Sequence, residues 1–155
     1  MRILIADDDL VRRGVIRLLS VETDWTICGE ARDKLEALQK AHELLPDVIL
    51  LDLRMPGMNE LDAIRRLRLE LPEAKILVIT HHDPVQMWPG IVEDGGDACL
   101  DKGRLGTDLV TTIKSLRRTC PVSDSAGHRS SDRSEAARPM GQATVNWTPA
   151  SLKTK

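Results

Sequence analysis

The stretch V48-I49-L50-L51-D52-L53-R54-M55-P56-G57-M58 decides the fold of this chain. Its four leading aliphatic residues form the unbroken apolar run that is typical of a strand buried on both faces of a parallel sheet. Asp52 ends the run, and a Pro-Gly turn follows shortly after it. The stretch therefore predicts a buried strand that delivers a carboxylate to the rim of a sheet.

Other apolar runs of strand length alternate with segments of helical period over the first 118 residues. We predict strands at 2–6, 25–30, 47–51, 75–80 and 97–101, and helices at 10–21, 33–45, 60–71, 84–94 and 106–118. The second helix is predicted to bury Leu35, Leu38, His42 and Leu45 on one stripe. Five β-α units of this kind predict an α/β fold with a doubly wound parallel sheet, right-handed crossovers and helices on both faces.

The composition narrows the class of protein. The chain has 155 residues, of which 41% are hydrophobic and 2% aromatic, so we expect one domain with an aliphatic core. Residues 1–116 carry 15 Lys and Arg against 21 Asp and Glu, an acidic body that argues against nucleic-acid binding. No apolar run approaches the roughly 18 residues of a membrane span. Three widely spaced cysteines (Cys28, Cys99 and Cys120) are interpreted as reduced thiols in a cytoplasmic protein.

The character of the sequence changes near its C-terminal end. Residues 118–155 are rich in small and polar residues and show no sustained apolar period. They are predicted to be a disordered basic tail that follows a domain over residues 1–117. The tail is too short and too polar for a helix-turn-helix domain of about 60 residues, so DNA binding by this chain is not expected.

Polar and charged residues stand at the carboxyl ends of four predicted strands. Asp7 and Asp8 follow the first strand, Asp52 the third, Thr80 ends the fourth and Lys102 follows the fifth. Because ligand sites of such sheets lie beyond those ends, these side chains are expected to meet. Clustered carboxylates suit Mg²⁺, and a carboxylate beside a metal and a lysine can accept a phosphoryl group. Each residue alone is also common as a helix cap or a solvated charge, so the combination carries the argument.

The sequence resembles the receiver domain of two-component response regulators, most closely the NarL/LuxR type, over about residues 1–117. The segments that carry the resemblance are I3-L4-I5-A6-D7-D8-D9, V48 to N59, I76-L77-V78-I79-T80 and G95 to K102. The resemblance implies a flavodoxin-like fold with strand order 2-1-3-4-5. It also implies a response regulator that acts in a two-component phosphorelay as a signalling phosphoprotein, with self-catalysed phosphotransfer and autodephosphorylation as its only chemistry.

The resemblance further implies roles for individual residues. Asp52 would be the phosphoacceptor, phosphorylated by a sensor histidine kinase or a phosphotransfer protein. Mg²⁺ would be held by Asp7, Asp8, Asp52 and the backbone carbonyl of Arg54. Lys102 would pair with the phosphoryl group, and Thr80 would move toward it and rearrange the face of the fourth helix. The implied partners include a downstream protein and a second copy of the phosphorylated chain.

Four residues depart from the family pattern. Cys99 stands where an aromatic residue is usual, and it is interpreted as a small hydrophobe. His81 follows Thr80 where a small residue is usual, and it either restricts the site or points into solvent. Glu60 replaces a glycine and is expected to strain or shift its loop. Pro89 lies inside the predicted fourth helix, which is expected to be kinked, shortened or restarted there.

Three other functions stay open at this point. A degenerate receiver would serve as an interaction scaffold without phosphorylation. A remnant of a LuxR-type transcriptional regulator would have lost its DNA-binding half. An aspartyl phosphatase would use the same nucleophile, but such enzymes place a second carboxylate two residues after it, and Arg54 occupies that position.

Overall fold

The computed structural model describes residues 1–117. Their elements are, in chain order, β1 (Arg2–Ala6), α1 (Asp9–Leu19), β2 (Thr26–Ala31), α2 (Lys34–Leu44), β3 (Val48–Asp52), α3 (Glu60–Glu70), β4 (Lys75–Thr80), α4 (Pro84–Glu93), β5 (Ala98–Asp101), a 3-10 turn (Lys102–Arg104) and α5 (Leu105–Arg117). The strands pair in parallel in the order β2-β1-β3-β4-β5. The predicted flavodoxin-like topology is confirmed. The predicted disordered tail, residues 118–155, lies outside the described residues.

The sheet separates two apolar layers, and β3 contributes to both. All five residues of β3 are buried. Its side chains alternate between the faces, so Ile49 and Leu51 pack in the layer of α2, α3 and α4, while Val48 and Leu50 pack in the layer of α1 and α5. This two-sided burial explains why the strand is an unbroken apolar run. The apolar run stops at the carboxyl end of β3, where Asp52 is the first polar side chain of the strand.

The predicted stripe of α2 is wrong except at Leu38. Leu35 and Leu45 are 56% and 63% exposed, and His42 is exposed as well. The helix instead buries Lys34, Ala37, Leu38 and Ala41. The alanines lie one turn apart and are small enough to bring the helix close to the sheet, and this turns the leucines at 35 and 45 outward.

The structure contradicts one form of each of two predicted backbone disturbances, a restart of the fourth helix at Pro89 and strain at Glu60. The fourth helix runs from Pro84 to Glu93 without restarting at Pro89, so a restart there is wrong. Glu60 is the first residue of α3, and Leu45 is the one residue other than glycine with a positive φ within residues 1–117. Strain at Glu60 is therefore also wrong. The positive φ of this loop falls on Gly57, at 119°, where a glycine is best tolerated.

Candidate functional site

Lys102 draws the predicted carboxylates together at the carboxyl edge of the sheet. Its ammonium nitrogen Nζ lies 2.6 Å from Oδ1 of Asp7, 2.9 Å from Oδ2 of Asp52 and 3.8 Å from Oδ2 of Asp8. Asp7 and Asp8 follow β1, Asp52 ends β3 and Lys102 opens the turn after β5, so three strands supply the cluster. Asp7, Asp52 and Lys102 are at most 9% exposed. Of the five side chains expected to meet at this edge, these four lie together around the Lys102 ammonium.

The pKa values of Asp7 and Lys102 are shifted by burial and by the hydrogen bonds between the charged side chains of the cluster. The pKa of Asp7 is raised to about 6 overall, because burial and, less strongly, the negative charge of Asp52 raise it while the hydrogen bond from Lys102 lowers it. Burial alone would lower the pKa of Lys102, but its hydrogen bonds to Asp7 and Asp52 outweigh this and raise that pKa overall. The ammonium is therefore held in its charged form between two carboxylates.

Asp8 lies at the exposed side of the cluster and also caps α1. Its Oδ1 accepts hydrogen bonds of 3.0 Å from the backbone amides of Leu10 and Val11. The hydrogen bond from the Val11 amide is the main cause that lowers the pKa of Asp8. Its second oxygen, Oδ2, faces the ammonium of Lys102. One carboxylate thus fixes the helix and still offers an oxygen to the site.

The oxygen atoms of the cluster fit a hard divalent cation in chemistry. Oδ2 of Asp7 is buried and has no hydrogen-bond partner among the described residues. Three carboxylates against one ammonium carry a formal charge of −2, which a divalent ion would neutralise. In the conformation described for residues 1–117, no three acidic, histidine or cysteine side chains are grouped closely enough to hold a metal ion. Lys102 supplies the positive charge of this arrangement.

The loop after β3 orients the Asp52 carboxylate and opens onto a pocket. The backbone amide of Arg54 donates a 3.0 Å hydrogen bond to Oδ1 of Asp52, while Oδ2 takes the bond from Lys102. The pocket has a volume of about 290 Å³ and is lined by Asp8, Arg32, Asp52, Arg54, Met55, Pro56, His81 and Lys102. The lining combines the cations Arg32, Arg54 and Lys102 with the carboxylates of Asp8 and Asp52, and the three cations are partners for an anionic group.

Two of the residues near the pocket were not predicted from the sequence. Arg32 lines the pocket and directly follows β2, so the same rule of strand ends that found Asp7 and Asp52 would have found it. Lys34 lies behind the loop, is 3% exposed, and donates from Nζ to the carbonyl of Met55 at 2.6 Å. No sequence signal distinguishes it from an ordinary surface lysine at the start of a helix.

Thr80 ends β4 but does not join the hydrogen bonds of the cluster. It is fully buried, and its hydroxyl oxygen accepts a 3.0 Å hydrogen bond from the backbone amide of His82. Asp101 on β5 is its register partner, and Ile79 beside it pairs with Asp52 on β3. Thr80 is therefore placed one strand away from Asp52, with a hydroxyl already engaged by its own loop.

Two of the residues that depart from the family pattern, His81 and Cys99, differ in their exposure and contacts. His81 is exposed and contributes to the rim of the pocket, so it is turned toward solvent without leaving the site. Cys99 is partly buried and packs against the apolar layer of α2, α3 and α4. Burial raises the pKa of the Cys99 thiol to about 11. The interpretation of Cys99 as a small hydrophobe agrees with this packing.

Comparison with known proteins gives one family. The family model described as "Response regulator receiver domain" matches residues 3–114. The response regulator GacA of Pseudomonas viridiflava is 34% identical over 115 residues, which are 74% of this chain and 54% of that protein. The transcriptional regulatory protein LiaR of Bacillus subtilis is 34% identical over 127 residues, 81% of this chain and 60% of that protein. The chain thus spans about half the length of the curated relatives it matches.

Solved structures give the same result. A two-component response regulator of the LuxR family from Aurantimonas sp. SI85-9A1 aligns with a TM-score of 0.69 and 30% identity, covering 74% of this chain and 83% of that one. The signal receiver domain of a NarL response regulator from Mycobacterium tuberculosis aligns with a TM-score of 0.70 and 34% identity, covering 77% and 97%.

Proposed function

The chain belongs to the response regulator receiver domain family, and on that premise we propose that it is a phosphoacceptor in a two-component phosphorelay. Receiver domains are signalling domains rather than classical enzymes. The proposed receiver domain is residues 1–117. Asp52 would take a phosphoryl group from the phosphohistidine of a sensor histidine kinase or phosphotransfer protein, as its carboxylate oxygen bonds to phosphorus and the phosphorus–nitrogen bond breaks.

The observation that carries this proposal is the double anchoring of Asp52. One oxygen of its carboxylate accepts from the Arg54 amide and the other from the Lys102 ammonium, at 3.0 and 2.9 Å. The side chain is 6% exposed and still lines an open pocket that Arg32, Arg54 and Lys102 line as well. A nucleophile that is fixed in orientation and faces a site for an anion meets the main demands of phosphoryl transfer, which are positioning and charge neutralisation.

Receiver domains generally bind Mg²⁺, and the oxygens of this site fit that ion. We propose that Asp7, Asp8, Asp52 and the backbone carbonyl of Arg54 would hold it. The bound ion supplies positive charge that neutralises the incoming phosphoryl oxygens. Lys102 would then give up a hydrogen bond to a carboxylate and donate to the phosphoryl group instead. Because Lys102 is buried and its Nζ already lies 2.9 Å from Asp52, the ammonium would move only a short distance in this exchange.

The output of the proposed switch would begin at Thr80. Its hydroxyl is held by the His82 amide in the conformation described, and a phosphoryl group on Asp52 would offer a competing partner. Movement of Thr80 would pull the loop that leads into α4, a local charge event acting on a two-state element. We propose that a downstream protein or a second copy of the chain binds the surface that this movement changes.

The location and the wider role of the chain are proposals as well. Residues 1–117 contain no helix that is long and apolar enough to cross a membrane. We propose a cytoplasmic protein, as is typical of response regulators. Since the match covers only 54% and 60% of the length of two curated relatives, a role as part of a LuxR-type transcriptional regulator stands beside the stand-alone receiver.

A second candidate function is a scaffold that works without phosphorylation. The observation in its favour is the Lys102 ammonium, which pairs with both Asp7 and Asp52 from within the protein. Such a chain would hold the active conformation or present its surfaces with no phosphoryl group on Asp52.

Phosphorylation of Asp52 separates the two functions. The full chain is incubated with acetyl phosphate and Mg²⁺ and run on a Phos-tag gel, beside Asp52→Ala and the exposed control Asp62→Ala. A shifted band that requires Mg²⁺, persists in Asp62→Ala and disappears in Asp52→Ala is the expected result. If the folded wild-type chain stays unshifted with acetyl phosphate and with a phosphorylated histidine kinase, the phosphoacceptor proposal fails and the scaffold takes its place.

A further inference from the structure

Lys34 connects the start of α2 to the loop that follows Asp52. Its Nζ donates to the carbonyl oxygens of Met55 and Met58, at 2.6 and 3.1 Å. Its backbone amide donates to the carbonyl of Pro56 at 3.1 Å. One residue thus binds three carbonyls of the four-residue segment 55–58.

The position of Lys34 is costly for a lysine. The side chain is 3% exposed, and no acidic side chain of residues 1–117 forms an ion pair with it. It is also the first residue of α2, where the positive end of the helix dipole repels a cation. A buried ammonium is tolerated only when strong acceptors replace its water. Here the acceptors are the loop carbonyls, so the contact between helix and loop is the reason the charge can be buried.

The loop is shaped to reach this lysine. Gly57 has a φ of 119°, and a β-carbon there would lie 3.5 Å from the backbone nitrogens of Lys34 and Leu35. The left-handed backbone at Gly57 therefore lets residues 56–58 pass directly over the first turn of α2. With the loop in this close contact, the carbonyls of Met55 and Met58 both lie within hydrogen-bond distance of one ammonium.

The segment held in this way continues directly into the site. Met55 follows Arg54, whose amide orients Oδ1 of Asp52 and whose carbonyl belongs to the proposed metal ligands. We infer that Lys34 is a positioning residue, which fixes segment 54–58 so that Asp52 and the Arg54 carbonyl are presented together for Mg²⁺ and the phosphoryl group. The inference rests on the proposed function. Lys34 itself touches neither the pocket nor Asp52, and acts through the loop.

The test compares two lysines of the same helix in the full chain. Lys34→Met keeps the apolar stem and removes the charge. Lys40→Met is the matched control, because Lys40 also lies on α2 and donates to a backbone carbonyl, that of Glu30, away from the loop. Lys34→Gln, which keeps a terminal donor without the charge, is made in parallel in case Lys34→Met does not fold.

Two quantities are measured without any phosphodonor. Amide hydrogen exchange of Arg54 reports the bond to Asp52 in the absence of Mg²⁺, and isothermal titration calorimetry gives the Mg²⁺ affinity. In Lys34→Met we expect the Arg54 amide to exchange faster and the Mg²⁺ affinity to fall by about tenfold, the scale of changes behind a first ligand shell. Lys40→Met is expected to leave both quantities as in the wild type.

Each other outcome is decisive. If Mg²⁺ affinity in Lys34→Met, or in Lys34→Gln where that variant is the folded one, equals that of the wild type, the inference is overturned even when the protein is less stable. An equal fall in Lys40→Met also overturns it, because the effect would then belong to α2 as a whole. A wild-type chain that binds no Mg²⁺ instead contradicts the metal site of the proposed function, and the inference falls with it.

Discussion

Nζ of Lys102 donates a 2.9 Å hydrogen bond to Oδ2 of Asp52, although the two residues are 50 positions apart in the chain. Asp7 accepts from the same ammonium at 2.6 Å, so one buried cation serves two buried anions. In Lys102→Met both carboxylates would lose their positive partner, and we expect the free energy of unfolding to fall by about 3 kcal/mol. Urea denaturation followed by circular dichroism at neutral pH measures this change.

The Lys102→Met variant also tests whether a metal ion, or the removal of one carboxylate charge, can compensate for the lost ammonium. Mg²⁺ added to Lys102→Met should restore part of the lost stability, because an ion that binds only the folded state shifts the equilibrium toward it. Asp7→Asn in the Lys102→Met background should restore part of it as well, by removing one unpaired charge. A Lys102→Met protein as stable as the wild type without Mg²⁺ would show that the cluster does not depend on this cation.

Thr80→Val separates phosphorylation from switching. The valine keeps the shape of the buried side chain but removes the hydroxyl that accepts from the His82 amide. We expect Asp52 to be phosphorylated at a rate within about threefold of the wild type, because Thr80 lies outside the hydrogen bonds of the Asp52 site. The amide shifts of α4 that accompany phosphorylation should be lost, as measured by NMR. Thr111→Val, on the exposed side of α5, is the control; α4 shifts of full size in Thr80→Val would contradict the role of its hydroxyl.

Arg68 is expected to be a large contributor to stability away from the site. Its guanidinium bonds the carbonyls of Pro72, Ala74 and Gly95 and the carboxylate of Asp97. Arg68→Met leaves these acceptors without their donor, so the free energy of unfolding should fall by about 2 to 3 kcal/mol. Arg66→Met, an exposed position on the same helix, should change it by less than about 0.5 kcal/mol. Urea denaturation of both variants gives the difference, and equal effects would contradict the prediction.

Pro89 should destabilise the helix in which it lies. Inside α4 a proline removes one helical hydrogen bond and crowds the preceding turn, so Pro89→Ala is expected to raise the free energy of unfolding by about 2 kcal/mol. Pro84 occupies the start of the same helix, where proline is well tolerated, and Pro84→Ala should have little effect. Thermal unfolding of the two variants measures this. If Pro89→Ala were less stable than the wild type, the packing of the Pro89 ring would stabilise the protein by more than its missing helical hydrogen bond destabilises it.

The thiol of Cys99 should be unreactive near neutral pH. The thiolate is the reactive form, and a pKa raised to about 11 leaves about 100-fold less thiolate than an ordinary cysteine has. Alkylation by iodoacetamide, followed by mass spectrometry, should therefore be slow at neutral pH and accelerate as the pH rises toward the pKa. Protein unfolded in urea is the control and should react at the ordinary rate. Reaction of folded Cys99 as fast as glutathione would contradict the burial of its thiol.

Residues at strand ends were predicted from the sequence because a local rule places them. The apolar run ending at Asp52 identified β3, and the parallel order of the strands then required Asp7, Asp8 and Lys102 to share one edge. The predicted apolar stripe of α2 was wrong because Ala37 and Ala41, rather than Leu35 and Leu45, lie on the buried face of the helix. Alanines contribute little to a pattern of large apolar residues, so the pattern did not indicate this face. The restart predicted at Pro89 was wrong because α4 continues through that residue to Glu93, with Ile91 buried in the layer of α2, α3 and α4.

The sequence by itself determined the alternation of elements, the sheet order by its resemblance, and the residue at each strand end, because these depend on apolar period and chain handedness. Tertiary structure alone decided which charges meet. The bridging of Asp7 and Asp52 by Lys102, and the burial of Lys34 against the loop of residues 55–58, depend on ångström-scale distances between segments 21 to 95 positions apart. No local pattern encodes such distances, since they result from the packing of the whole sheet and its helices.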